Sequence, residues 1–234
     1  MRHITMNRVI IPCGGDGSRW NEHLGIPKQL LQYDGHETVL ARIIRLCGRP
    51  DVDKVYVTTN DPRISQAVTS VEVAPVSELS NPAPVDKIMS SEALWSTDCE
   101  TVILFGDTYF TEPAIEIIIQ HRANHVVFFG RLGSSEFTGK KGSEIYGVKF
   151  RPADVPSLKA HCEFVRWSAR AGHLRKELAL TKMIMASMVA ADGLYPDQYN
   201  WDQGHYDTKY MVKVDDRTED FDCPKDFENW KATA

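Results

Sequence analysis

A glycine-rich loop directly follows the first apolar run of the sequence, in VIIPCGGDGSRWNEHLGIPKQLL at residues 9–31. Glycines let backbone amides approach an anion closely, and consecutive amides form a concave anion-binding surface. Two cations come after the glycines, Arg19 and Lys28, and their charge would neutralise a phosphorylated ligand. A plain turn with two exposed cations explains the loop alone equally well. Its spacing is that of neither a dinucleotide fingerprint nor a Walker A loop.

Aspartates at two places in the chain have the chemistry of a magnesium site. Asp107 ends an apolar run in ILFGDTYF, where a parallel sheet would place it on the same side as the glycine loop. Asp220 and Asp222, in TEDFDCPKDFENW, are two residues apart, so both face the same way in an extended segment. A few carboxylates suit Mg²⁺, which keeps waters and substrate phosphates in its shell. Alternatively, Asp107 caps a turn and the pair belongs to a solvated acidic run.

Strand-like and helix-like stretches alternate over the part of the chain that carries the loop and Asp107. Apolar runs typical of buried strands occur at 8–13, 53–60, 71–76, 100–107 and 125–132. Segments with helical spacing lie between most of them, which predicts a three-layer α/β/α fold with a mostly parallel central sheet. Ligands bind beyond the carboxyl ends of the strands in such a sheet.

The pattern becomes less regular in the last third of the chain. Strands are predicted at 144–150 and 209–216, and helices at 173–193 and 223–232. The segment HCEFVRW, at 161–167, is interpreted as a further strand. Neither an internal repeat nor a low-complexity linker is present, so we predict a single domain.

Composition and charge exclude several classes of protein. Of 234 residues, 42% are hydrophobic and 25% charged, as in ordinary globular proteins. The formal net charge of -5 gives no general attraction to nucleic acid or anionic membranes. The first apolar run is too short for a signal peptide, and every run falls short of the roughly 20 residues that cross a bilayer. Five widely spread cysteines without a CxxC pair indicate reduced thiols, so we expect a cytoplasmic protein.

The loop and the segment after it together resemble the signature of the nucleotidyltransferase family. This family includes sugar-phosphate nucleotidyltransferases, cytidylyltransferases and MobA-like NTP transferases. Its members open with a strand, G-G-x-G-[ST]-R, a gap and P-K-x-L, and every one of these positions is filled here. Asp107 resembles the family's G-D metal motif, and Asp220 and Asp222 resemble its acidic segment before a proline. The resemblance covers most of the chain and implies a Rossmann-like fold of the GT-A type.

The resemblance implies a role for each of these residues. The loop residues that would wrap the phosphates and base edge of a nucleoside triphosphate are Gly14, Gly15, Asp16, Gly17 and Ser18. Arg19 would stabilise charge on the departing pyrophosphate, and Lys28 would bridge the acceptor phosphate and the α-phosphate. Asp107 and Asp222 would hold Mg²⁺, with Asp220 as a helper.

The base-binding and acceptor-binding positions are less clearly marked. Asp86 lies in SNPAPVDKIMSSEAL, at residues 80–94, where the family recognises its base, although the usual glycine-rich form is missing. Lys140 and Lys141 would reach an acceptor phosphate, and a solvated turn explains them equally well. Gly147, in EIYGVKF, would let the acceptor approach its strand.

The implied reaction transfers a nucleoside monophosphate from an NTP to a small phosphorylated acceptor, such as a sugar phosphate, and releases pyrophosphate with the help of Mg²⁺. CTP is favoured by analogy with compact relatives. Within a single domain over residues 1–234, residues 1–132 would form the nucleotide-binding core. Residues 133–234 would bind the acceptor and complete the metal site. The sequence leaves the acceptor and homo-oligomer formation open.

Two alternatives belong to other classes of function. A glycosyltransferase of the GT-A type would use an NDP-sugar and a D-x-D motif, where FGDTY offers one aspartate. A non-catalytic module would bind a nucleotide without turnover. The presence of Arg19, Lys28, Asp107 and Asp222 together argues against loss of catalysis.

Overall fold

The computed structural model of the protein describes residues 5–14, 20, 23–76, 86–173, 180–192 and 209–233. The strands, in chain order, are β1 (Asn7–Pro12), β2 (Val52–Thr58), β3 (Glu72–Ala74), β4 (Glu100–Leu104), β5 (Thr108–Tyr109), β6 (Val127–Arg131), β7 (Glu144–Phe150), β8 (Met211–Lys213) and β9 (Glu219–Asp220). The α-helices are α1 (Val39–Leu46), α2 (Pro62–Ala67), α3 (Asp86–Met89), α4 (Glu112–Gln120), α5 (Val155–Arg170), α6 (Leu180–Ala191) and α7 (Pro224–Ala232). Short 3₁₀ helices cover His23–Gly25, Lys28–Leu30, Glu92–Leu94 and Pro152–Asp154.

Seven of these strands form one sheet, in the order β3-β2-β1-β4-β7-β6-β8. Strand β1 pairs in parallel with β2 and β4, and β2 pairs in parallel with β3. Strand β7 runs antiparallel to its neighbours β4 and β6, whereas β8 is parallel to β6. The sheet is therefore mostly parallel, as the alternation of elements predicts, and its parallel strands end at a common edge.

Alternating side chains of the strands build two apolar layers, one on each face of the sheet. In β1, Val9 and Ile11 pack against the layer that contains α1, α4 and α7. Ile10 points the other way and packs in the layer that contains α3, α5 and α6. Burial on both faces explains why the strand is apolar throughout. The predicted three-layer α/β/α fold is confirmed.

Threonine side chains fix the points where two helices on one face of the sheet begin. Thr111 accepts a hydrogen bond of 3.1 Å from the amide of Ala114 at the start of α4. Thr38 accepts one of 3.1 Å from the amide of Ala41 at the start of α1. Such caps satisfy amides that have no partner within the helix. Because α4 begins directly after β5, the cap at Thr111 also marks the end of the short segment that follows β4.

One prediction for the last third of the chain is wrong. Residues 161–167, interpreted as a strand, lie inside α5. Leu158, Cys162 and Val165 are buried in this helix at helical spacing. A short apolar run fits a strand or a helix, and only the spacing over a longer window separates the two. Within the helix predicted at 173–193, the structure describes α6 over Leu180–Ala191.

Two features bear on the expected cellular setting. None of the helices that the structure describes is both long and apolar enough to cross a membrane. All five cysteines are free thiols, which agrees with the expectation of reduced cysteines.

Candidate active site

The carboxyl edge of the sheet brings together segments that are far apart in the sequence. Asp107 lies between β4 and β5, and Gly14 follows β1 at the same edge. Thr108 pairs with Asp220 in the antiparallel β5–β9 ladder, and the amide of Phe221 donates to the carbonyl of Asp107 over 3.4 Å. This ladder places the predicted C-terminal acidic segment beside the predicted metal ligand of the sheet.

Two lysines contact the carboxylate of Asp107. Its side chain is 5% exposed, and its Oδ2 lies 2.6 Å from Nζ of Lys28 and 2.8 Å from Nζ of Lys87. Lys28 Nζ also donates to the carbonyl of Phe221 over 3.3 Å. Lys28 and Asp107 were predicted from the sequence, whereas Lys87, in α3, was not.

The charges of this group support one another. Burial alone would raise the pKa of Asp107, but the ammonium groups of Lys28 and Lys87 outweigh it and hold that pKa well below its usual range. Burial disfavours the charged form of Lys28, yet the carboxylate of Asp107 beside it raises the pKa of Lys28 above its ordinary value. Asp107 and Lys28 are therefore both ionised at neutral pH.

A second cluster has the opposite composition, with three carboxylates in contact with two ammonium groups. Carboxylate oxygens of Glu144, Asp220 and Asp222 lie within 4.8 Å of one another. Nζ of Lys140 lies 2.9 Å from Asp222 Oδ2 and 3.3 Å from both Asp220 Oδ2 and Glu144 Oε1. Lys182, from α6, contacts the other oxygen of Glu144 at 3.0 Å. We call Glu144, Asp220 and Asp222 the acidic cluster.

The acidic cluster fits a divalent cation, and the charge of Asp107 acts on Asp220. Oδ1 of Asp220 is buried and has no hydrogen-bond partner among the residues that the structure describes. Burial, together with the negative charge of Asp107, raises the pKa of Asp220 to about 7. A bound cation would satisfy this oxygen and offset the repulsion between the carboxylates. The hard oxygen donors that surround it are those preferred by Mg²⁺.

Buried polar contacts hold the backbone that carries the acidic cluster. Glu219, which precedes Asp220, accepts from Arg131 Nη2 over 3.3 Å and from the hydroxyl of Tyr146 over 3.2 Å. The hydroxyl of Ser135 donates to its other oxygen. At the far end, Asp226 accepts from the amide of Asp222 over 2.9 Å. The backbone of the two aspartates is thus held by neighbouring residues, in addition to the ion pairs that their side chains form with Lys140.

A cleft of about 580 Å³ opens at the carboxyl ends of β1, β2 and β3. Its lining residues are Cys13, Gly14, Thr59, Asn60, Asp61, Pro62, Arg63 and Val76. This volume lies in the range of small-molecule binding sites, roughly 300–1,000 Å³. Of the predicted nucleotide-binding residues, Gly14 therefore borders a cavity of suitable size. No sequence motif marks the residues after β2 that share this cleft.

Several predicted site residues lie outside the described part of the chain or away from the two clusters. Those beyond the described residues are Gly15, Asp16, Gly17, Ser18 and Arg19. Asp86 is the first residue of α3, and its side chain is not described. Lys141 is exposed. Gly147 lies within β7, where an added Cβ would be 2.6 Å from the carbonyl oxygen of Ile103. Close packing against β4 is sufficient to explain this glycine.

Lys87, Glu144 and Lys182 belong to the two clusters but were not predicted. Lys87 follows Asp86 in the stretch where base recognition is expected, so its position was a usable signal. Glu144 is the first residue of β7 and Lys182 lies in α6, and no local motif marks either of them. Their roles depend on tertiary contacts that the sequence pattern does not encode.

Sequence and structure comparisons identify relatives of the chain. Residues 9–135 match the MobA-like NTP transferase domain, and a comparison with curated protein sequences gives no match. The fold is similar to that of CTP:phosphocholine cytidylyltransferase from Streptococcus pneumoniae, with a TM-score of 0.60 and 13% identity over 97% of this chain and 99% of that chain.

Two further solved structures share this fold. A CMP:2-keto-3-deoxy-manno-octonic acid synthetase complexed with CTP has a TM-score of 0.52 and 13% identity, over 98% of both chains. A nucleotidyl transferase from Methanothermobacter has a TM-score of 0.53 and 18% identity, over 81% of this chain and 84% of that chain. At such identities the likeness shows the fold alone. The domain match itself spans more than half of the sequence and confirms the resemblance to the nucleotidyltransferase family. The chain therefore belongs to the MobA-like NTP transferase family and is an enzyme of the nucleotidyltransferase class.

Proposed function

We propose that this enzyme transfers a nucleoside monophosphate from an NTP, with CTP favoured, to a small phosphorylated acceptor such as a sugar phosphate. Pyrophosphate leaves, and the reaction depends on Mg²⁺. The observation that carries the proposal is the contact of Lys28 with Asp107, 2.6 Å apart, beside the acidic cluster. A fixed cation next to a group of metal-binding carboxylates is what phosphoryl chemistry requires.

Asp107, Asp220 and Asp222 would hold Mg²⁺, with Glu144 at the edge of the site. The ion would supply positive charge against the crowded oxygens of two phosphorylated substrates. The unpartnered oxygen of Asp220 and the mutual proximity of the carboxylates support this assignment. The side-chain carboxylates of Glu219 and Asp226 accept hydrogen bonds that hold the segment carrying these donors before any ligand binds.

Lys28 would stabilise the negative charge that builds up between the acceptor phosphate and the α-phosphate. Its ammonium group is fixed by Asp107 and by the carbonyl of Phe221, so it needs little reorganisation during the reaction. A phosphate acceptor is already ionised at neutral pH, so no general base is needed. Catalysis would come from the positioning of the two substrates and from electrostatics.

The cleft beside β1 and β2 is the proposed place of the nucleotide. Gly14 lies on its wall, and the residues proposed to continue the contact are Gly15, Asp16, Gly17, Ser18, Arg19 and Asp86. The acceptor would enter from the side of Lys140 and Lys182, with residues 133–234 completing the metal site. Two proteins of similar fold have CTP in their names or complexes, which supports the preference for CTP. The free cysteines support a cytoplasmic location.

Pyrophosphate release tests the reaction directly. The full chain is incubated with CTP, UTP, GTP or ATP, each with Mg²⁺ and a set of sugar phosphates and phosphorylated amino alcohols. We expect release with one NTP and one acceptor, none in the presence of a chelator, and loss in Lys28→Ala. Lys54→Ala is the matched control. Lys54, in β2, forms an ion pair of 2.7 Å with Glu72 of β3 and not with Asp107.

Thermal unfolding in the presence of each NTP identifies the preferred nucleotide base even when the acceptor is unknown. A ligand at 100 times its dissociation constant raises the free energy of unfolding by about 2.7 kcal/mol. Stabilisation by NDP-sugars, without stabilisation by any NTP, would favour a glycosyltransferase instead. Binding of an NTP without pyrophosphate release under any condition would favour a non-catalytic module.

A further inference from the structure

Two ammonium groups share one carboxylate oxygen at the candidate site. Nζ of Lys28 and Nζ of Lys87 lie 2.6 Å and 2.8 Å from the same Oδ2 of Asp107, so the two ammonium groups are close neighbours. Like charges at this separation repel each other, and one carboxylate neutralises only one of them. Within the described part of the chain, the ion pairs of both lysines are with Asp107. One unit of positive charge is therefore in excess among the directly paired groups, and Asp220 and Asp222 act on Lys28 from farther away.

The two lysines differ in how firmly they are held. Lys28 also donates to the carbonyl of Phe221, and its side chain is 15% exposed. The side chain of Lys87 is 29% exposed, and its ammonium group lies 5.3 Å from the centre of the Phe105 ring. Lys87 is thus the more open of the two towards solvent, and a ligand can reach it more easily.

Neutralising Asp107 does not explain the second lysine. Lys28 by itself already forms a short ion pair with this carboxylate, so the carboxylate has a direct counter-charge without Lys87. If Asp107 also binds a divalent cation, less of its charge is left for two ammonium groups. The excess positive charge then faces whatever anion occupies the site, and a polyphosphate is the anion with matching charge and size.

We propose that Lys87 binds the phosphate chain of the nucleoside triphosphate, beside Lys28. This role rests on the proposed nucleotidyl transfer. It also gives α3 a function, because this helix lies within the stretch, residues 80–94, in which base recognition is expected. A cation at that place would couple correct binding of the base to binding of the phosphates.

Isothermal titration of the full chain tests this role, with the Mg²⁺ complexes of CTP, UTP, GTP, ATP and pyrophosphate as probes. Lys87→Met keeps the apolar stem and removes the charge, whereas Lys87→Arg keeps the charge. We expect Lys87→Met to weaken binding of the preferred NTP and of pyrophosphate at least tenfold, which is about 1.4 kcal/mol. Lys87→Arg and the control Lys54→Ala should stay within about threefold of the wild type.

Three results would overturn the proposal, and they separate it from the proposed function. Unchanged NTP affinity in Lys87→Met, with binding by the wild type, overturns the role of Lys87 and leaves nucleotidyl transfer standing. Equal losses in Lys87→Met and Lys87→Arg, with a lower melting temperature in both, indicate a structural lysine. No binding of any NTP or of pyrophosphate by the wild type overturns nucleotidyl transfer, and the role of Lys87 with it.

Discussion

The two clusters at the edge of the sheet have opposite imbalances of charge. Around Asp107, two ammonium groups face one carboxylate. In the acidic cluster, three carboxylates contact two ammonium groups, those of Lys140 and Lys182. The first arrangement leaves positive charge for an anion, and the second leaves negative charge for a cation. Both ligands of a metal-assisted phosphoryl transfer are thus provided for, side by side.

The two clusters also differ in how they are held. Asp107 lies in a turn between two strands, and its charge is fixed directly by side chains. The acidic cluster is held through its backbone, by Glu219 on one side and Asp226 on the other. We conclude that charge changes should act mainly on catalysis at the first cluster and mainly on cation affinity at the second.

The largest effect is expected from Asp107→Asn. This change removes the carboxylate that separates two ammonium groups and would also remove a metal ligand, so both functions of the site are lost. We expect pyrophosphate release to fall by about 10³-fold or more, and the free energy of unfolding to fall by about 3–5 kcal/mol, as for a broken buried ion pair. Pyrophosphate assays and urea unfolding measure the two effects. An active Asp107→Asn variant would contradict the assignment of this cluster.

A smaller effect is expected from Asp222→Asn, which changes the acidic cluster alone. Loss of one charged oxygen donor should weaken Mg²⁺ binding and reduce pyrophosphate release by about 10²-fold at limiting Mg²⁺, with partial recovery at high Mg²⁺. Asp215→Asn is the matched control, because this aspartate is 73% exposed and pairs with Lys213. Equal rates for the two variants would show that Asp222 binds no essential cation.

The regular part of the molecule could be predicted because its signals are local. The strand at 8–13 is marked by a continuous apolar run and the segment at 38–48 by apolar residues at helical spacing, and β1 and α1 are found there. The strand predicted at 161–167 is wrong for the converse reason, because so few residues fit a strand and a helix equally well. Length decides such cases, and α5 is 16 residues long.

The candidate site could be predicted only where its residues belong to motifs. Asp107 and Lys28 come from motifs far apart in the chain, and the structure brings them into contact. Lys87, Glu144 and Lys182 are brought in by the packing of α3, β7 and α6, which depends on contacts distant in the sequence. Charge partners of this kind have no spacing rule, so a single sequence does not reveal them.

A moderate effect on stability is expected from Glu219→Gln. This variant tests whether residues outside the acidic cluster hold the strand that carries Asp220. Glu219 is fully buried against Arg131 and Tyr146. The amide would leave the guanidinium without its counter-charge, so we expect the free energy of unfolding to fall by about 1–3 kcal/mol. Urea unfolding measures it, with the exposed Glu163→Gln of α5 as the control. The same midpoint for both variants would show that the network does not stabilise β9.

The smallest effect is expected from Lys140→Met, and its sign distinguishes the two clusters most clearly. Lys140 occupies the space among three carboxylates, at 2.9–3.3 Å from each, so it competes with any cation for their charge. Removing it should tighten Mg²⁺ or Mn²⁺ binding by about fivefold, whereas Lys28→Met, at the positive cluster, should change it less. Titration of the ligand-free chain with Mn²⁺ measures both. Unchanged or weaker cation binding in Lys140→Met would contradict the competition and would favour the role first expected for this lysine, a contact to the acceptor phosphate.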